Sequence, residues 1–467
     1  MQHSTRTHRV RQRPRTRQIQ RHLTQPWLWP EDGGTRPVFR QRRIQVRIEQ
    51  RGQTTPYGGL TLAHALAMRL HLDRDLNRGL PLLRCHRPFF ESDHLLTHVY
   101  NQYVGGRCIE DIGNLQGSDA VKHLLGAVRI PDPTTAGDFL RRFHEPHLVA
   151  LQTAIDAARE RVWRQLPRRR RQTATLDLDS TVRPVYGECK QGADFAYNGQ
   201  WSYHPLLVTL AETREPLRTI NRPGNAASAE GAAAALRELL PLVQRHFGRV
   251  YVRGDSKFYQ RAVIAACEAH HAYFATVMDG YAVLLKKAEK LPENAWQPFS
   301  FHAAKGAAQA PTARRSRRKR ERHRRRIARE REYKTLATTD QWAAEFPYTL
   351  PRQHHDEGLA GRTYRVVVKR QRVQESQGQQ SLLVEYRYRF VITNIPQPDM
   401  DAAAVLAFAY GRCDQENFIE QFKNGIAALR MPTGELLANW AFLLAGQLAW
   451  CLRAWLSLLA LPKETTR

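Results

Sequence analysis

The sequence predicts an α/β protein with a helical region before the sheet and a basic, β-rich insertion within it. Three observations predict this class. From Ala174 to about Met278, alternating and β-branched runs predict the order strand, strand, strand, helix, strand, helix, strand. Apolar residues recur at helical spacing across residues 56–150. Residues 281–400 then break the α/β rhythm with a dense basic cluster and two strand-like runs.

The charge of the chain is its most unusual property. The 467 residues include 72 Lys or Arg and 44 Asp or Glu, so the formal net charge is +28. Hydrophobic residues make up 42% of the chain, which is enough for a core and excludes a wholly disordered basic tail. Because such an excess of positive charge costs self-repulsion, it indicates a polyanionic partner, with nucleic acid as the first candidate.

Several classes of protein are excluded early. The six cysteines lie far apart and form no CxxC pair, so neither a zinc ribbon nor a disulfide scaffold is expected. The basic N-terminus has no apolar core, so we expect no secretory signal. The most apolar stretch, Trp440–Leu461, is interrupted by Gln447 and Arg453 and predicts a buried helix instead of a membrane span. We therefore expect a cytoplasmic protein without a membrane partner.

Residues 1–55 have the composition of an arm. Seven Arg and no acidic residue fall within the first 21 residues. Such an arm is expected to be disordered alone and to lie along phosphates, although a solubilising tail has the same composition.

The region that follows is predicted to be helical. Leu60–Leu70 and Leu95–Tyr103 carry apolar residues at helical spacing. Thr134 or Thr135 is expected to cap a further helix. The basic run Arg168–Arg171 then serves as a linker to the sheet.

The predicted sheet and its helices follow in order. Strands are expected in TATLDLDSTV from about Thr173, at 202–212 and 217–220, in the hydrophobic run that ends at Asp255, and in AYFATVM; helices are expected from about Ser228 to Phe247 and from Lys257 to about His271.

The insertion and the C-terminal end complete the pattern. Residues 314–331 carry twelve Arg or Lys, and strand-like runs follow at 363–373 and 381–395. Helices are expected at about 402–424 and 437–459.

Three acidic residues stand out by position. Asp179 lies in the first strand, Asp255 ends a hydrophobic strand, and Glu416 lies on a helix far downstream. Strand ends are where α/β sheets usually present ligand groups, and carboxylates suit Mg²⁺. On a strongly basic protein, the three acids fit a two-metal phosphodiester site. Each also has an ordinary explanation, because an Asp at a strand end often caps a helix and a helical Glu is commonly a surface residue.

The helix around Glu416 presents a mixed-charge face. Arg412, Glu416, Glu420 and Lys423 fall within an arc of about 80°. This face could line a cleft, but a salt-bridged surface helix has the same spacings.

Several motifs together resemble a known family. They are SDHLLTHVYNQYVGGRCIEDIGNL, IPDPTTAGDFLRRF, LDLDST, SYHPLL, NRPGNAASAEGAAAAL, VRGDSKF and QENFIEQFKNG, in this order from about Gly58 onward. The chain resembles bacterial insertion-sequence DDE transposases of the Tyr-Arg-Glu-Lys subgroup, most of all the IS-thirteen-eighty family. The resemblance implies an RNase H-like mixed sheet flanked by helices, interrupted by a basic β-rich insertion, with an N-terminal helical domain.

The resemblance also implies roles for particular residues. Asp179, Asp255 and Glu416 match the catalytic, metal-binding acids, and Arg412 and Lys423 match positions that contact the DNA end. The cofactor would be two Mg²⁺ ions, with Mn²⁺ as an expected substitute.

Some assignments keep a rival. Asp177 points to the same strand face as Asp179, which is preferred because it precedes Ser-Thr. Glu420 is the weaker rival of Glu416, which has the family's spacing to Arg412. The family's Tyr position is occupied here by Ala409, with Tyr410 one residue late, so Tyr410 either reaches DNA differently or belongs to the core.

The insertion fits the same resemblance, because the subgroup carries a mostly β insertion between the second Asp and the Glu. Its Arg317, Arg318, Lys319 and Arg320 are candidate DNA-binding residues of a clamp. A disordered, phosphate-binding loop without sequence preference is the alternative.

Five segments are expected along the chain. Residues 1–55 form the basic disordered arm, 56–170 a helical DNA-binding domain and linker, 171–280 the first part of the catalytic core, 281–400 the basic β-rich insertion, and 401–467 the C-terminal helices that complete the core.

The resemblance implies a transposase that cuts at terminal inverted repeats and joins the freed end to a target. The expected partners are double-stranded DNA and a second copy of the chain in a DNA-bound synaptic dimer. A bacterial, nucleoid-associated cytoplasmic location follows. The alternatives are a non-catalytic DNA-binding protein on a degenerate transposase scaffold and a structure-selective two-metal nuclease.

Overall fold

The computed structural model describes residues 36–44, 55–300, 336–352, 357–376 and 379–460. Most of the predicted arm and the candidate clamp residues Arg317, Arg318, Lys319 and Arg320 therefore lie outside the described residues. The division into five segments stays a prediction.

Helices dominate both ends of the described chain. The α-helices are α1 (Leu60–Arg69), α2 (Leu72–Gly79), α3 (Glu91–Tyr103), α4 (Ile112–Gln116), α5 (Asp119–Leu125), α6 (Pro133–Leu140), α7 (Glu145–Gln165), α8 (Ala232–Gln244), α9 (Arg261–Ala269), α10 (Ala282–Glu289), α11 (Ala402–Tyr410), α12 (Cys413–Asn424) and α13 (Leu436–Ala460).

Strands occupy the middle of the chain. They are β1 (Thr173–Ser180), β2 (Arg183–Pro184), β3 (Asp194–Phe195), β4 (Trp201–Tyr203), β5 (Leu206–Leu210), β6 (Glu215–Ile220), β7 (Arg249–Gly254), β8 (Tyr273–Met278), β9 (Gln297–Pro298), β10 (Leu336–Thr349), β11 (Thr363–Ser376) and β12 (Gln379–Thr393).

Among the described residues, one mixed sheet of nine strands organises the fold, in the order β6-β5-β1-β7-β8-β12-β11-β10-β9. Strands β6, β5 and β1 are antiparallel neighbours, whereas β1, β7 and β8 run parallel. The strands of the predicted insertion continue this same sheet, because β12 pairs with β8 in antiparallel fashion. The mixed sheet flanked by helices has the RNase H-like arrangement that the resemblance implied.

The two faces of the sheet are covered by different helices. On one face, Leu176 and Leu178 of β1 pack in a core with residues of α8 and α9, such as Leu239 and Ile264. On the other, residues of β7, β8, β11 and β12 pack against α11. Since side chains alternate along a strand, Asp177 and Asp179 face the α11 side. Both faces of the central strands are therefore covered, as expected for parallel strands.

The N-terminal helices and the C-terminal helix α13 share one hydrophobic core. In the described part of the chain, α13 is the helix that is long and apolar enough to cross a membrane, yet most of its length is buried inside the protein. Its Phe442, Leu444 and Trp455 are at most 2% exposed. The predicted buried C-terminal helix is confirmed.

A fully buried carboxylate links three elements. Glu215 of β6 accepts hydrogen bonds from Trp163 of α7 at 2.9 Å and Trp455 of α13 at 2.8 Å. The guanidinium of Arg159 completes its set of partners at 3.1 Å. A buried charge needs such partners, so this site fixes α7 and α13 against the edge of the sheet.

The boundaries of several predicted elements are wrong. The strand predicted at 202–212 is two strands, because the His204-Pro205 step passes from β4 to β5 and proline cannot donate to a ladder. The helix predicted from Lys257 begins only at Arg261, after a 3₁₀ turn. The cap of α6 is Asp132, whose Oδ1 accepts a hydrogen bond from the Thr135 N–H at 3.0 Å.

Candidate active site

The two strand-end acids lie on neighbouring parallel strands. Asp179 is the second-last residue of β1. Asp255 directly follows β7, the strand that pairs with β1. The Asp255 Oδ1 accepts a hydrogen bond from the Lys257 N–H at 2.9 Å, so this carboxylate also caps the following turn. The capping role that the sequence suggested is present, and the second oxygen faces the site.

Arg412 joins the two acids. One guanidinium nitrogen, Nη1, lies 3.2 Å from Asp179 Oδ2, and Nη2 lies 3.8 Å from Asp255 Oδ2. Nη1 also lies 3.4 Å from the carbonyl oxygen of Leu178. The three side chains are partly shielded from water, at 16% exposed for Asp179, 19% for Arg412 and 38% for Asp255. The structure therefore brings together three of the predicted site residues.

Glu416 and Lys423 are placed less tightly. Glu416 is exposed on α12, and its negative charge acts on Asp179. Lys423 is half-buried near the end of the same helix. Within the described residues, neither side chain has an ion pair within 4 Å, and no three His, Cys, Asp or Glu are grouped so as to hold a metal ion. Glu416 and its rival Glu420 are both exposed, so burial does not separate them.

The environment of Asp179 favours its protonated form. Burial raises the pKa of Asp179 from 3.8 to about 6, and the neighbouring charges of Asp255 and Glu416 act in the same direction. Arg412 and the hydrogen bond from the Ser180 N–H lower this pKa. Burial and two neighbouring acids disfavour the ionised form of this carboxyl, so a nearby cation would stabilise that form.

Asp177 has a different environment from Asp179. Its two carboxylate oxygens accept hydrogen bonds from Arg253, at 2.6 and 2.8 Å, and it is 2% exposed. Arg253 is its register partner on β7 and also donates to the carbonyl oxygen of Phe408 on α11 at 2.9 Å. This bidentate pair holds β1, β7 and α11 together. The sequence offered one signal for Arg253. Like Asp177, it is a charged residue at an alternating position of a strand, and the two strands are neighbours.

The predicted single helix at 402–424 is wrong, because a turn at Gly411 and Arg412 separates α11 from α12. A Cβ atom on Gly411 would lie 2.7 Å from the Nη1 atom of Arg253, so a larger residue there would displace the guanidinium that binds Asp177. The turn places Arg412 ahead of α12, beside the acids. Gln415 then donates a hydrogen bond to the Asp177 carbonyl oxygen at 2.9 Å, which fixes α12 on β1.

Tyr410 packs in the interior at the end of α11. The Nζ atom of Lys369 lies 4.6 Å from the centroid of its ring. Burial raises the pKa of Tyr410 and lowers the pKa of Lys369 to about 8, the latter with help from Arg389 and Arg387. Of the two explanations for Tyr410, its burial favours the core.

One neighbour of the site was missed by sequence reasoning. The Nε2 atom of His204 lies 3.0 Å from the hydroxyl of Ser180, and its Nδ1 lies 2.8 Å from the Ala226 carbonyl oxygen. His204 thereby fixes the residue directly after Asp179. The sequence offered no signal for this contact, because His204 and Ser180 meet only through the β1–β5 pairing.

The donor chemistry of the site fits a divalent cation such as Mg²⁺. Asp179 and Asp255 offer carboxylate oxygens, the ligands that Mg²⁺ prefers, and the Arg412 guanidinium already places positive charge between them. Asp179 and Asp255 are the residues that would hold the ion, with Glu416 as a third donor from α12.

Comparisons with known proteins give the family of the chain. The family model described as "Transposase DDE domain group 1" matches residues 37–467. No curated protein matches the chain. Among solved structures, the chain is similar to a piggyBac transposase in a synaptic complex with hairpin DNA, with a TM-score of 0.31 and 9% identity over 85% of this chain and 79% of that one. Because the family model spans nearly the whole chain, the protein belongs to the group 1 family of DDE-domain transposases.

Proposed function

We propose that this transposase cuts DNA at the terminal inverted repeats of its element and transfers the freed end to target DNA, in a reaction that depends on Mg²⁺. The observation that carries the proposal is the convergence of Asp179 and Asp255 on Arg412 at the ends of two parallel strands. We place the protein in the IS-thirteen-eighty family on the motifs given above. When bound, two divalent ions, Mg²⁺ or Mn²⁺, would supply an activated water and charge stabilisation at the leaving oxygen.

The residues of the chain have separate tasks in this proposal. Asp179 and Asp255 are held by the sheet and present their carboxylates from fixed positions, while Glu416 adds a third carboxylate from α12. Arg412 balances the charge of the two strand acids and offers two parallel N–H groups to a phosphate of the DNA end. Lys423 and the basic residues Arg317, Arg318, Lys319 and Arg320 are proposed to contact the DNA backbone.

The partners follow from the reaction. Two element ends must be held together for excision, so we propose that the protein acts as a homodimer on double-stranded DNA. The formal charge of +28 supports a polyanionic partner. The helical region at 56–170 is proposed to bind the terminal repeats, in a cytoplasmic, nucleoid-associated protein.

An excision assay tests the proposal. A plasmid carrying the gene's own flanking DNA is incubated with the protein and Mg²⁺, Mn²⁺ or EDTA, and wild type is compared with Asp255→Asn. A matched control is Asp399→Asn, since Asp399 is an exposed acid beside Arg249 at the start of β7, the end of that strand away from Asp255. We expect wild type and the control to release a fragment at the flank boundaries with either metal, and Asp255→Asn to release less than one hundredth as much.

Two other outcomes would favour the alternatives. Binding of the flanks without cutting in any metal would indicate a DNA-binding protein on a degenerate scaffold. Cutting that ignores the inverted repeats and follows DNA branch structure would indicate a structure-selective nuclease.

A further inference from the structure

The connection between β1 and β5 carries an exposed aromatic cluster. Tyr186 is 90% exposed, Tyr197 is 83% exposed and Phe195 is 63% exposed, all within twelve residues of one another. Large side chains in water are unfavourable when they are grouped, and such patches mark binding surfaces. We call Tyr186, Phe195 and Tyr197 the aromatic platform.

The platform is built on a rigid scaffold. Phe195 lies on β3 of the small sheet β2-β4-β3, where its ring meets the ring of Trp201 edge-on at 5.3 Å, and Tyr186 and Tyr197 come two residues after β2 and β3. The backbone of Gly224 packs so closely on this sheet that a Cβ atom there would lie 2.1 Å from the Asp194 carbonyl oxygen. Lys190 anchors the connection by donating to the carbonyl oxygens of Met431 and Thr433, each at 2.6 Å. The aromatic rings are therefore presented by fixed backbone.

The platform adjoins the candidate active site. The ring of Tyr197 lies 5.9 Å from the ring of His204, whose Nε2 lies 3.0 Å from the Ser180 hydroxyl. Ser180 directly follows Asp179 and donates its N–H to the Asp179 Oδ1 at 2.8 Å. A ligand on Tyr197 would therefore reach the strand end that carries Asp179 through His204 and Ser180, from the sheet face opposite to the Asp179 carboxylate.

Two arginines beside the platform lack acidic partners. Burial lowers the pKa of Arg183, and the like charge of the nearby Arg430 lowers it further. Tyr186 is a neighbour of Arg183. Within the described part of the chain, neither guanidinium has a carboxylate within 4 Å, and the buried Arg183 Nε atom has no hydrogen-bond acceptor. A phosphate placed here would relieve the repulsion and satisfy the buried donor.

From this combination we infer that the platform binds unpaired nucleotides of the DNA strand at the cut end. The bases stack on Tyr186, Phe195 and Tyr197, and the backbone phosphates contact Arg183 and Arg430. Aromatic faces with a cationic groove are the common recognition mode for single-stranded nucleic acid. The inference rests on the proposed function for the identity of the DNA partner, and it adds a specific site for strand separation next to Asp179.

Fluorescence anisotropy tests the inference without catalysis. The full-length protein is titrated in EDTA against two fluorescent probes, a 20-base-pair blunt duplex and the same duplex with a six-nucleotide oligothymidine tail. The variants are Tyr186→Ala and Tyr197→Ala, which remove exposed rings and are expected to leave the fold intact. Tyr197→Phe keeps a stacking face, and Tyr281→Ala removes a tyrosine that is 49% exposed directly before α10, outside the β1–β5 connection.

We expect wild type, Tyr197→Phe and Tyr281→Ala to bind the tailed duplex about tenfold more tightly than the blunt one, in line with base stacking. Tyr197→Ala and Tyr186→Ala should each lose most of this preference while binding the blunt duplex like wild type. Equal affinity of wild type for both probes, or an equal loss on both probes in the variants, would overturn the inference and leave a protein partner as the use of the platform. Because no cutting is measured, these results stand apart from the excision assay.

Discussion

At the scale of single residues, Asp177 and Asp179 differ in partner although they share a strand face. Asp177 is held by Arg253 in a buried bidentate ion pair, whereas the carboxylate of Asp179 faces Arg412 and Asp255. The alternation of β1 predicts that both carboxylates face the same side. It could not predict their partners, because the β1–β7 register and the position of Arg412 are set by tertiary packing.

This difference predicts opposite effects of two similar substitutions on stability. Asp177→Asn should lower the free energy of unfolding by about 3–5 kcal/mol, because it leaves the buried Arg253 charge unpaired. Asp179→Asn should raise it by about 1 kcal/mol at pH 7.5, because burial and the nearby acids disfavour the ionised carboxyl. Urea unfolding in EDTA measures both.

The sign follows from the pKa of Asp179. This pKa is about 6 in the folded protein and 3.8 for the free side chain. Asp179 therefore contributes stability below pH 3.8, and that contribution is lost as the pH rises through 6. The gain of Asp179→Asn over wild type should vanish near pH 4. Loss of stability in Asp179→Asn as large as in Asp177→Asn would contradict the separation of their roles.

At the scale of elements, the sequence predicted the kinds of element better than their connections. The runs at 363–373 and 381–395 are strands as predicted, and they also extend the main sheet through the β12–β8 pairing. Long-range pairing of this kind leaves no periodic signal in either strand. The break at Gly411 was missed for a similar reason, since helical spacing continues across it and the close approach of Arg253 to this glycine is a tertiary contact.

Helix α3 is buried on all sides and carries two neutral histidines. Burial lowers the pKa of His94 to about 3 and of His98 to about 4. His94 stacks on Phe139 with the ring centroids 4.5 Å apart, and its buried Nδ1 atom has no hydrogen-bond partner among the described residues. Burial also raises the pKa of the neighbouring Asp93 to about 6.

These values predict that acid destabilises the fold through α3. A histidine with a lowered pKa contributes stability above its free value of 6.5, and this is lost as the pH falls toward 4. Asp93 and Asp179 act in the opposite direction, but only below pH 6, whereas His94 and His98 destabilise the fold from pH 6.5 downward and have the larger combined shift. The urea concentration at the midpoint of unfolding should therefore decrease as the pH is lowered from 7 to 4.5.

A substitution in α3 tests whether the buried histidines cause the loss of stability in acid. His94→Phe keeps the stack on Phe139 and removes one titrating group, so its urea midpoint should depend less on pH than that of wild type. The control His123→Gln changes an exposed histidine and should follow the wild-type curve. Equal pH dependence in all three proteins would show that the buried histidines do not govern acid unfolding.

At the scale of the whole molecule, the core joins parts that are distant in sequence. Helix α13 packs with the N-terminal helices in one core, and its Trp455 shares the Glu215 carboxylate with Trp163 and Arg159. The acids of the site come from β1 and from the end of β7, while Arg412 and Glu416 come from near the C-terminal end. The site therefore forms only when the central strands and the last helices are assembled together.

The charge of the whole chain predicts a steep salt dependence of DNA binding. If the protein contacts about eight phosphates, its affinity for a blunt duplex should fall by roughly 10³–10⁵ between 50 and 200 mM salt, because counterions are released on binding. Anisotropy in EDTA gives the slope of log affinity against log salt.

Replacing Arg317, Arg318 and Arg320 with Gln should reduce this slope by nearly three if these residues form the clamp. A charge-matched control replaces three exposed arginines that lie away from the acids, namely Arg214 in the β5–β6 turn, Arg237 on α8 and Arg245 directly after α8, and should change the slope by less than one. A flat salt response of wild type would refute the polyelectrolyte argument, and equal slopes for the two triple variants would refute the clamp, since each removes three positive charges and only their position differs.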